Sequence, residues 1–336
     1  MINGTSFGDL AQSFILQRRG ADLKTEMARL NKELVTGQVS DPKAVLAGNV
    51  SYLADIENDL RLLDSYRVVT TEAQTFADTM QNALDRIQSS STSYSQDLLS
   101  VAKNAVGPVL DQFAVNAKAE LETVVSALNT TVAGRTIFAG TATDRAAIEE
   151  VDTIIAAVQT AVAGAGSIDD IFLAADAWFA DPAGFSATLY NGSDNSLNPF
   201  RVGDSETVDI PYTADDEELR EVIKGLSLAA LAGEGGLGFT ADGQRACMNR
   251  VGTNLMAAQS GLTALRADVG ASQERIDQIA SRNAAEALSL DYAKGALLGA
   301  DPFETATKLE EVQFQLQSLY TVTARMSDLT LVNFIR

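Results

Sequence analysis

The chain has 336 residues, 46% of them hydrophobic, and its 45 Asp and Glu against 25 Lys and Arg give a net charge of −20. That charge disfavours nucleic acid or an anionic membrane as a partner, because either would require a basic patch on the protein. The chain has no histidine, the usual residue of acid–base catalysis and metal binding, and Cys247 is its only cysteine. We therefore expect a folded protein with no cofactor, no metal and no internal disulfide, in which Cys247 is a core residue.

The first predicted element is an amphipathic helix over residues 8–35. Its apolar stripe consists of Leu16, Leu23, Met27, Leu30 and Leu34. Thr36-Gly37 is predicted to end the helix, because glycine readily adopts the left-handed conformation that follows a helix. The N-terminal stretch MINGTSFGDLAQSFILQRRG does not resemble a secretory signal. No segment approaches the roughly 20 apolar residues of a membrane span. We expect no membrane insertion, and no signal cleavage if the protein is exported.

A second helix is predicted to begin at Asp41-Pro42, where a capping side chain precedes proline in the first helical turn. It is predicted to continue to Ile87 with these core-facing residues: Val69, Phe76, Met80 and Leu84. The serine-rich run at 89–95 predicts a turn after this helix. Pro108 then begins a shorter helix, which is expected to end near Gly134.

Residues 140–240 differ from the rest because glycine and proline interrupt short apolar runs. The runs at 187–190 and 206–210 favour β-strands, and a helix is predicted from Asp216, with Thr213 placed to form a capping box. These patterns predict a small α/β domain inserted between the helices of the two termini.

The C-terminal third follows a heptad repeat, in which apolar residues alternate spacings of three and four from Met248 to Ile279. Such a repeat forms a narrow stripe that needs a partner helix. The predicted core positions are Leu255, Leu262, Leu265, Val269 and Ile276. A break at 299–302 then separates a final helix with a stripe of its own: Leu316, Leu319, Met326 and Leu329.

Together these patterns predict a mainly α fold, an elongated rod of long antiparallel coiled-coil-like helices from both termini with a small central α/β insert. Five segments are expected: an assembly helix at 1–40, rod helices at 41–139, the insert at 140–240, a long rod helix at 241–299 and a second assembly helix at 300–336. Two isolated helices cannot fully bury their apolar stripes, so we expect the stripes of the first and last helices to bind other subunits.

Two patterns resemble sites of chemistry but lack the context that the chemistry needs. Residues 233–238 read GEGGLG, the spacing of a dinucleotide-binding loop, yet a helix rather than a strand is predicted before them. The acidic run 215–218 lacks the alternating ligand spacing of a calcium loop and suits the first turn of a helix. We therefore predict no catalytic, cofactor-binding or metal-binding residues.

Three segments, in this order, resemble the flagellin and hook-associated protein family. Residues 28–48, ARLNKELVTGQVSDPKAVLAG, are similar to its N-terminal pattern of a helix, a Thr-Gly end and an Asp-Pro loop. Residues 133–144, AGRTIFAGTATD, resemble the segment that precedes the outer domain in members at the hook–filament junction. The C-terminal stretch from RADVGASQERID to LVNFIR resembles the closing helices that the family shares, although Pro302-Phe303 replaces the usual alanine after the aspartate.

The resemblance implies a non-enzymatic structural subunit of the bacterial flagellum, located at the junction between hook and filament. It also implies polymerisation through the terminal helices and export through the growing structure to the cell exterior. The implied partners are copies of the chain itself, the first hook-associated protein (hook-associated protein 1), flagellin and a cytoplasmic export chaperone.

Three alternatives remain at this stage. The chain could be flagellin itself, the filament subunit, although the GRTIFAG segment favours the junction. A cytoplasmic coiled-coil signalling rod would also be rich in alanine, acidic and heptad-patterned, but a 100-residue insert does not suit its hairpin tip. An enzyme is disfavoured by the absence of histidine and of any pairing of a nucleophile with a base.

Overall fold

The computed structural model describes residues 6–46, 50–101, 105–233 and 236–334, and it is mainly α. The first half contains α1 Ser6–Thr36, α2 Pro42–Val45, α3 Ser51–Val101, α4 Gly107–Leu128, β1 Thr131–Val132, β2 Arg135–Thr136 and α5 Val151–Ala161. The second half contains α6 Ile168–Ala180, α7 Phe185–Thr188, β3 Phe200–Arg201, β4 Thr207–Val208, α8 Glu217–Leu231, α9 Ala241–Leu298 and α10 Pro302–Phe334. The prediction of a mainly α fold built from long packed helices is confirmed.

Several helix ends follow the signals in the sequence. Gly37 has φ of 66°, and its N–H donates to the carbonyl of Glu33 at 2.8 Å, which closes α1. Before α2, the Asp41 carboxylate accepts from the Lys43 N–H at 3.1 Å. Asp301 does the same before α10, accepting from the Phe303 N–H at 2.8 Å. Both Asp-Pro pairs therefore begin helices, because the carboxylate satisfies a donor that the first turn leaves free. The predicted continuation of the second helix from Pro42 to Ile87 is wrong, since α2 ends at Val45 and α3 begins at Ser51.

The chain forms two compact units. The terminal unit comprises Met1–Leu62 with Ala285–Arg336, and the central unit comprises Leu63–Ala284. The long helices α3 and α9 contribute residues to both units. The predicted division into five segments, including a separate domain at 140–240, stays a prediction.

The central unit has one continuous hydrophobic core, which extends in sequence from Ala73 to Ile279. The predicted long C-terminal helix is confirmed as α9, and its heptad positions Met248, Val251 and Leu262 are fully buried. Cys247 lies in the same core, where burial raises the pKa of its thiol to about 12. Its burial confirms the prediction that Cys247 is a core residue.

The predicted turn at 89–95 is wrong, because α3 continues through the serine run to Val101. Ser91 and Ser95 are buried, and the Ser95 hydroxyl donates to the carbonyl of Thr92 within the helix at 2.9 Å. Short side chains whose polar atoms are satisfied inside the helix or by a partner helix can occupy a buried face, so the serines need not end the helix.

The partner of that face is α9, and polar side chains join residues 78–92 of α3 to residues 259–273 of α9. The residue numbers on α3 rise as those on α9 fall in step, so the helices are antiparallel. The joining pairs are Gln273 to Asp78 at 2.6 Å, Arg266 to Asp85 at 2.9 Å, Gln88 to Thr263 at 2.9 Å, Thr92 to Gln259 at 2.8 Å and Gln259 to Ser91 at 2.7 Å. These directed bonds fix one register for a seam that apolar contacts alone would specify less tightly.

The insert contains more helix than the sequence predicts. The strand expected at 187–190 is wrong, since α7 occupies Phe185–Thr188 and Tyr190 forms only an isolated bridge with Ile148. The reason is tertiary, because Phe185 is fully buried and stacks on Phe179 at 5.2 Å between ring centroids. The strand predicted at 206–210 is confirmed in part as β4, which pairs antiparallel with β3.

The cap of α8 also differs in detail from the prediction. The helix starts at Glu217 with Asp216 as its N-cap, so Thr213 lies before the cap residue rather than at it. The Asp216 carboxylate still reaches back to accept from the Thr213 N–H at 3.0 Å, and burial raises the pKa of that carboxyl.

Sequence reasoning missed the β1–β2 hairpin that follows α4. Its two-residue turn places Ala133 at φ 50° and Gly134 at φ 78°. Tight hairpins favour a positive φ at both turn residues, for which Asn-Gly is the usual signal. The turn here is Ala133-Gly134, which has the glycine but not the asparagine, so the sequence predicts only the end of a helix at this point.

Candidate assembly surface

The structure places the predicted rod-core residues in the central unit. Phe76, Met80, Leu84, Leu255, Leu262, Leu265, Val269 and Ile276 are buried in its core, and Val69 packs against that core while partly buried. Their burial within the single chain means that they are not available to other subunits.

The first and last helices, α1 and α10, pack against each other in the terminal unit. Leu30 of α1 is buried with Leu309 and Val312 of α10, and Leu23 and Met27 pack around this cluster. This cluster is small compared with the core of the central unit. The two helices therefore bury only part of their apolar residues against each other.

The remaining predicted interface residues are only partly covered. Leu16, Leu316, Leu319 and Met326 are half-buried, and Leu34 is 39% exposed. Gly20 lets α1 approach α10 closely, because a Cβ at position 20 would lie 3.3 Å from Leu319 Cδ2. The side chain of Leu329 lies outside the described part of the chain. Whether these residues contact other subunits stays a prediction.

A second set of apolar residues was not predicted as a surface. Among the described residues, every exposed aromatic side chain lies in the terminal unit: Phe14, Tyr52, Tyr292, Phe303, Phe314 and Tyr320. Phe303 and Phe314 are 84% and 70% exposed, and their separation of eleven residues, about three helical turns, places them on one side of α10. Sequence reasoning missed them because it followed the heptad stripe, whereas these residues lie off it.

The terminal unit also carries less net charge than the central unit. It contains 15 Asp and Glu against 11 Lys and Arg, whereas the central unit contains 30 against 14. Within the terminal unit, Arg29 pairs with Glu26 and Glu33, and its guanidinium lowers the pKa of Glu26. Lys24 lies over the ring of Tyr320 at 5.8 Å from the centroid. A surface that exposes aromatic groups is typical of protein–protein contact.

The rest of the described chain offers little for chemistry. Within that part, no group of three His, Cys, Asp or Glu is placed to hold a metal ion. The GEGGLG segment follows helix α8, as predicted, so its described residues lack the strand that a dinucleotide site requires. None of the described helices is sufficiently long and apolar to cross a membrane.

Comparisons with known proteins point to one group. Residues 253–335 match the family model described as the bacterial flagellin C-terminal helical region, a segment that runs from within α9 through α10. The chain is similar in fold to a solved structure described as a flagellar hook-associated protein from Vibrio parahaemolyticus, with a TM-score of 0.52. That similarity covers 76% of this chain and 98% of the other, at 14% sequence identity. No curated protein matches the chain.

The family-model match supports, over residues 253–335, the relationship to flagellin and hook-associated proteins that the sequence predicts. The family model covers the helix that carries Phe303, Phe314 and Tyr320, α10. The structural match concerns the fold alone, and neither comparison distinguishes a junction subunit from a filament subunit.

Proposed function

We propose that this chain is a non-enzymatic structural subunit of the bacterial flagellum, which polymerises through its terminal helices at the junction between hook and filament. The observation that carries this proposal is the terminal unit itself, where aromatic side chains on α1, α9 and α10 stay exposed although the helices are otherwise packed. Burying such groups between subunits gains about 25 cal/mol for each Å² of apolar surface, so association would supply the burial that one chain does not.

The position at the junction is supported by the GRTIFAG segment at 134–140 and by the fold similarity to a hook-associated protein. In this position the chain would contact the first hook-associated protein on one side and flagellin on the other. It would reach the cell exterior through the growing structure, kept from premature assembly by an export chaperone bound to the C-terminal region.

A filament subunit is the second candidate, favoured by the description of the matching family model. The two candidates differ in what their loss leaves behind. Cells that lack a junction subunit keep their hooks and release filament protein into the medium, whereas cells that lack the filament subunit release none.

The experiment replaces Phe303, Phe314 and Tyr320 together by serine in cells that depend on this chain for motility. We expect the variant to be exported and to melt at nearly the same temperature as the natural protein, because all three side chains are exposed. Filament attachment should be lost, with hooks present and filament protein shed into the medium.

The matched control replaces three exposed valines of the central unit, Val68, Val106 and Val115, by serine. These cells should keep attached filaments and swim. If the aromatic variant is found outside the cell and still supports full-length filaments, the terminal unit is not the assembly surface and the proposal fails.

A further inference from the structure

The two breaks that separate the terminal helices from their neighbours lie side by side in the terminal unit. Gln38, after α1, and Gly299, before α10, face each other in an antiparallel bridge. The Val39 N–H donates to the carbonyl of Leu298 at 2.8 Å, and the Ala300 N–H donates to the carbonyl of Gly37 at 2.9 Å. Each break therefore satisfies backbone groups of the other, although about 260 residues separate them in sequence.

A buried carboxylate holds the first break in place. The Glu33 side chain is 6% exposed, and its Oε1 accepts from the Ser40 N–H and from Arg29 Nη1, both at 2.8 Å. A buried charge is costly unless it is paired and hydrogen-bonded. Glu33 therefore favours the one loop conformation that brings the Ser40 N–H back against α1, and this conformation also presents Gly37 and Val39 to the second break.

The second break has its own anchor. Asp301 Oδ1 accepts from the N–H groups of Phe303 and Glu304, at 2.8 and 3.1 Å, and so sets the start of α10 directly after the bridge. Beyond the breaks, α1 and α10 share the buried cluster of Leu30, Leu309 and Val312. If either helix leaves, the other loses both its apolar partner and the backbone partner of its break.

We propose that residues 37–40 and 298–301 form a clasp through which α1 and α10 order and release together. The cause is cooperative, because the two backbone bonds exist only while both breaks are in place, and Glu33 holds the first break through the Ser40 N–H. The clasp is a property of the isolated chain, and its use in assembly rests on the proposed function. A subunit built this way would present its terminal surface as a whole or not at all.

Amide hydrogen exchange on the full-length protein tests the clasp independently of polymerisation. In Glu33→Ala, we expect exchange to rise roughly ten-fold or more in residues 37–40 and, to a similar extent, in 299–306, because the loss of one charged hydrogen bond should open both breaks. The matched control is Glu26→Ala, which also removes a partner of Arg29 but leaves the bond between Glu33 and the Ser40 N–H; it should leave both segments protected.

A second variant tests the coupling from the other side. Ala300→Pro removes the N–H that donates to the Gly37 carbonyl without changing any residue of the first break. Exchange at 37–40 should rise in this variant as well. If the rise in either variant is confined to the segment that carries the substitution, the two breaks open separately and the clasp does not exist. Failure of this test would leave the proposed assembly role intact, and loss of that role would not affect the exchange result.

Discussion

The central and terminal units are both built from long helices, but they bury the apolar residues of those helices to different extents. In the central unit the heptad residues of α9 are buried in one large core, and a row of polar bonds fixes their register against α3. In the terminal unit the buried cluster is formed by Leu30, Leu309 and Val312, while aromatic groups remain exposed. The two units also differ in charge, because the central unit carries most of the net negative charge.

This difference indicates where each unit finds its stability. A unit that buries its apolar residues within one chain is stable alone, and its acidic surface opposes close approach of other copies. A unit with little net charge and exposed aromatic groups gains further burial only by association. Substitutions in one unit, compared with matched substitutions in the other, test that contrast.

The largest effect is expected from Leu262→Asp in the central core. Leu262 is fully buried, and an unpaired charge in its place should cost about 3–5 kcal/mol. The chain has a single tryptophan, Trp178, which packs against this core, so tryptophan fluorescence reports the central unit. The melting temperature of the central unit should fall by roughly 10 °C. Phe314→Asp, at an exposed position of the terminal unit, should shift the same transition little.

A companion substitution, Leu189→Asp, tests the predicted boundary of the insert. Leu189 is buried and belongs to the same continuous core as Leu262. If residues 140–240 form a separate domain, the helical melt of α3 and α9, followed by circular dichroism, should remain largely intact. A loss equal to that of Leu262→Asp would instead make the central unit a single cooperative domain.

An intermediate effect is expected where α8 approaches α9. A Cβ on Gly225 would lie 2.7 Å from Leu255 Cδ2, so Gly225→Val should destabilise the central unit by about 1–3 kcal/mol through overpacking. Gly270 of α9 is the matched control, because a Cβ there would meet no atom within 4 Å. Gly270→Ala should be neutral or stabilising by up to about 1 kcal/mol, since alanine favours a helix. Urea unfolding followed by Trp178 fluorescence measures both; a Gly225→Val protein as stable as Gly270→Ala would mean that the close approach of Leu255 carries no packing cost.

Periodicity and helix-end signals predict much of this fold. The heptads of α9 and the glycine at position 37 determine local structure through their own chemistry, so a sequence reader finds them. The serine run and α7 were misread because packing overrides local preference there: Ser91 bonds to Gln259, and Phe185 stacks on Phe179.

The candidate surface was only partly predictable for a related reason. A heptad identifies residues that need a partner, but it does not tell whether the same chain supplies one. Leu30 finds Leu309 and Val312 within the chain, whereas Phe303 and Phe314 lie off the stripe and are exposed. The sequence around Gln38 and Gly299 does not predict that the two breaks pair, because they form an isolated bridge and not a strand with its own alternating pattern.

The smallest expected effect is a pH dependence confined to the terminal unit. In the folded chain, the hydrogen-bonded guanidinium of Arg29 lowers the pKa of Glu26 below the usual value of a glutamate. A carboxyl whose folded pKa is lowered contributes stability above its unfolded pKa and loses it as the pH falls through the folded pKa. Glu26→Gln should therefore weaken protection of α1 slightly at pH 7, because Glu26 is partly exposed and its pair with Arg29 is screened by solvent. At pH 3 the difference in α1 stability between the natural protein and Glu26→Gln should shrink.

The measurement is the stability of α1 from hydrogen exchange at both pH values, corrected for intrinsic rates. Trp178 fluorescence serves as the control that the central unit is unchanged. A difference that grows on acidification would mean that Glu26 is stabilised in its protonated form, which contradicts the pairing with Arg29.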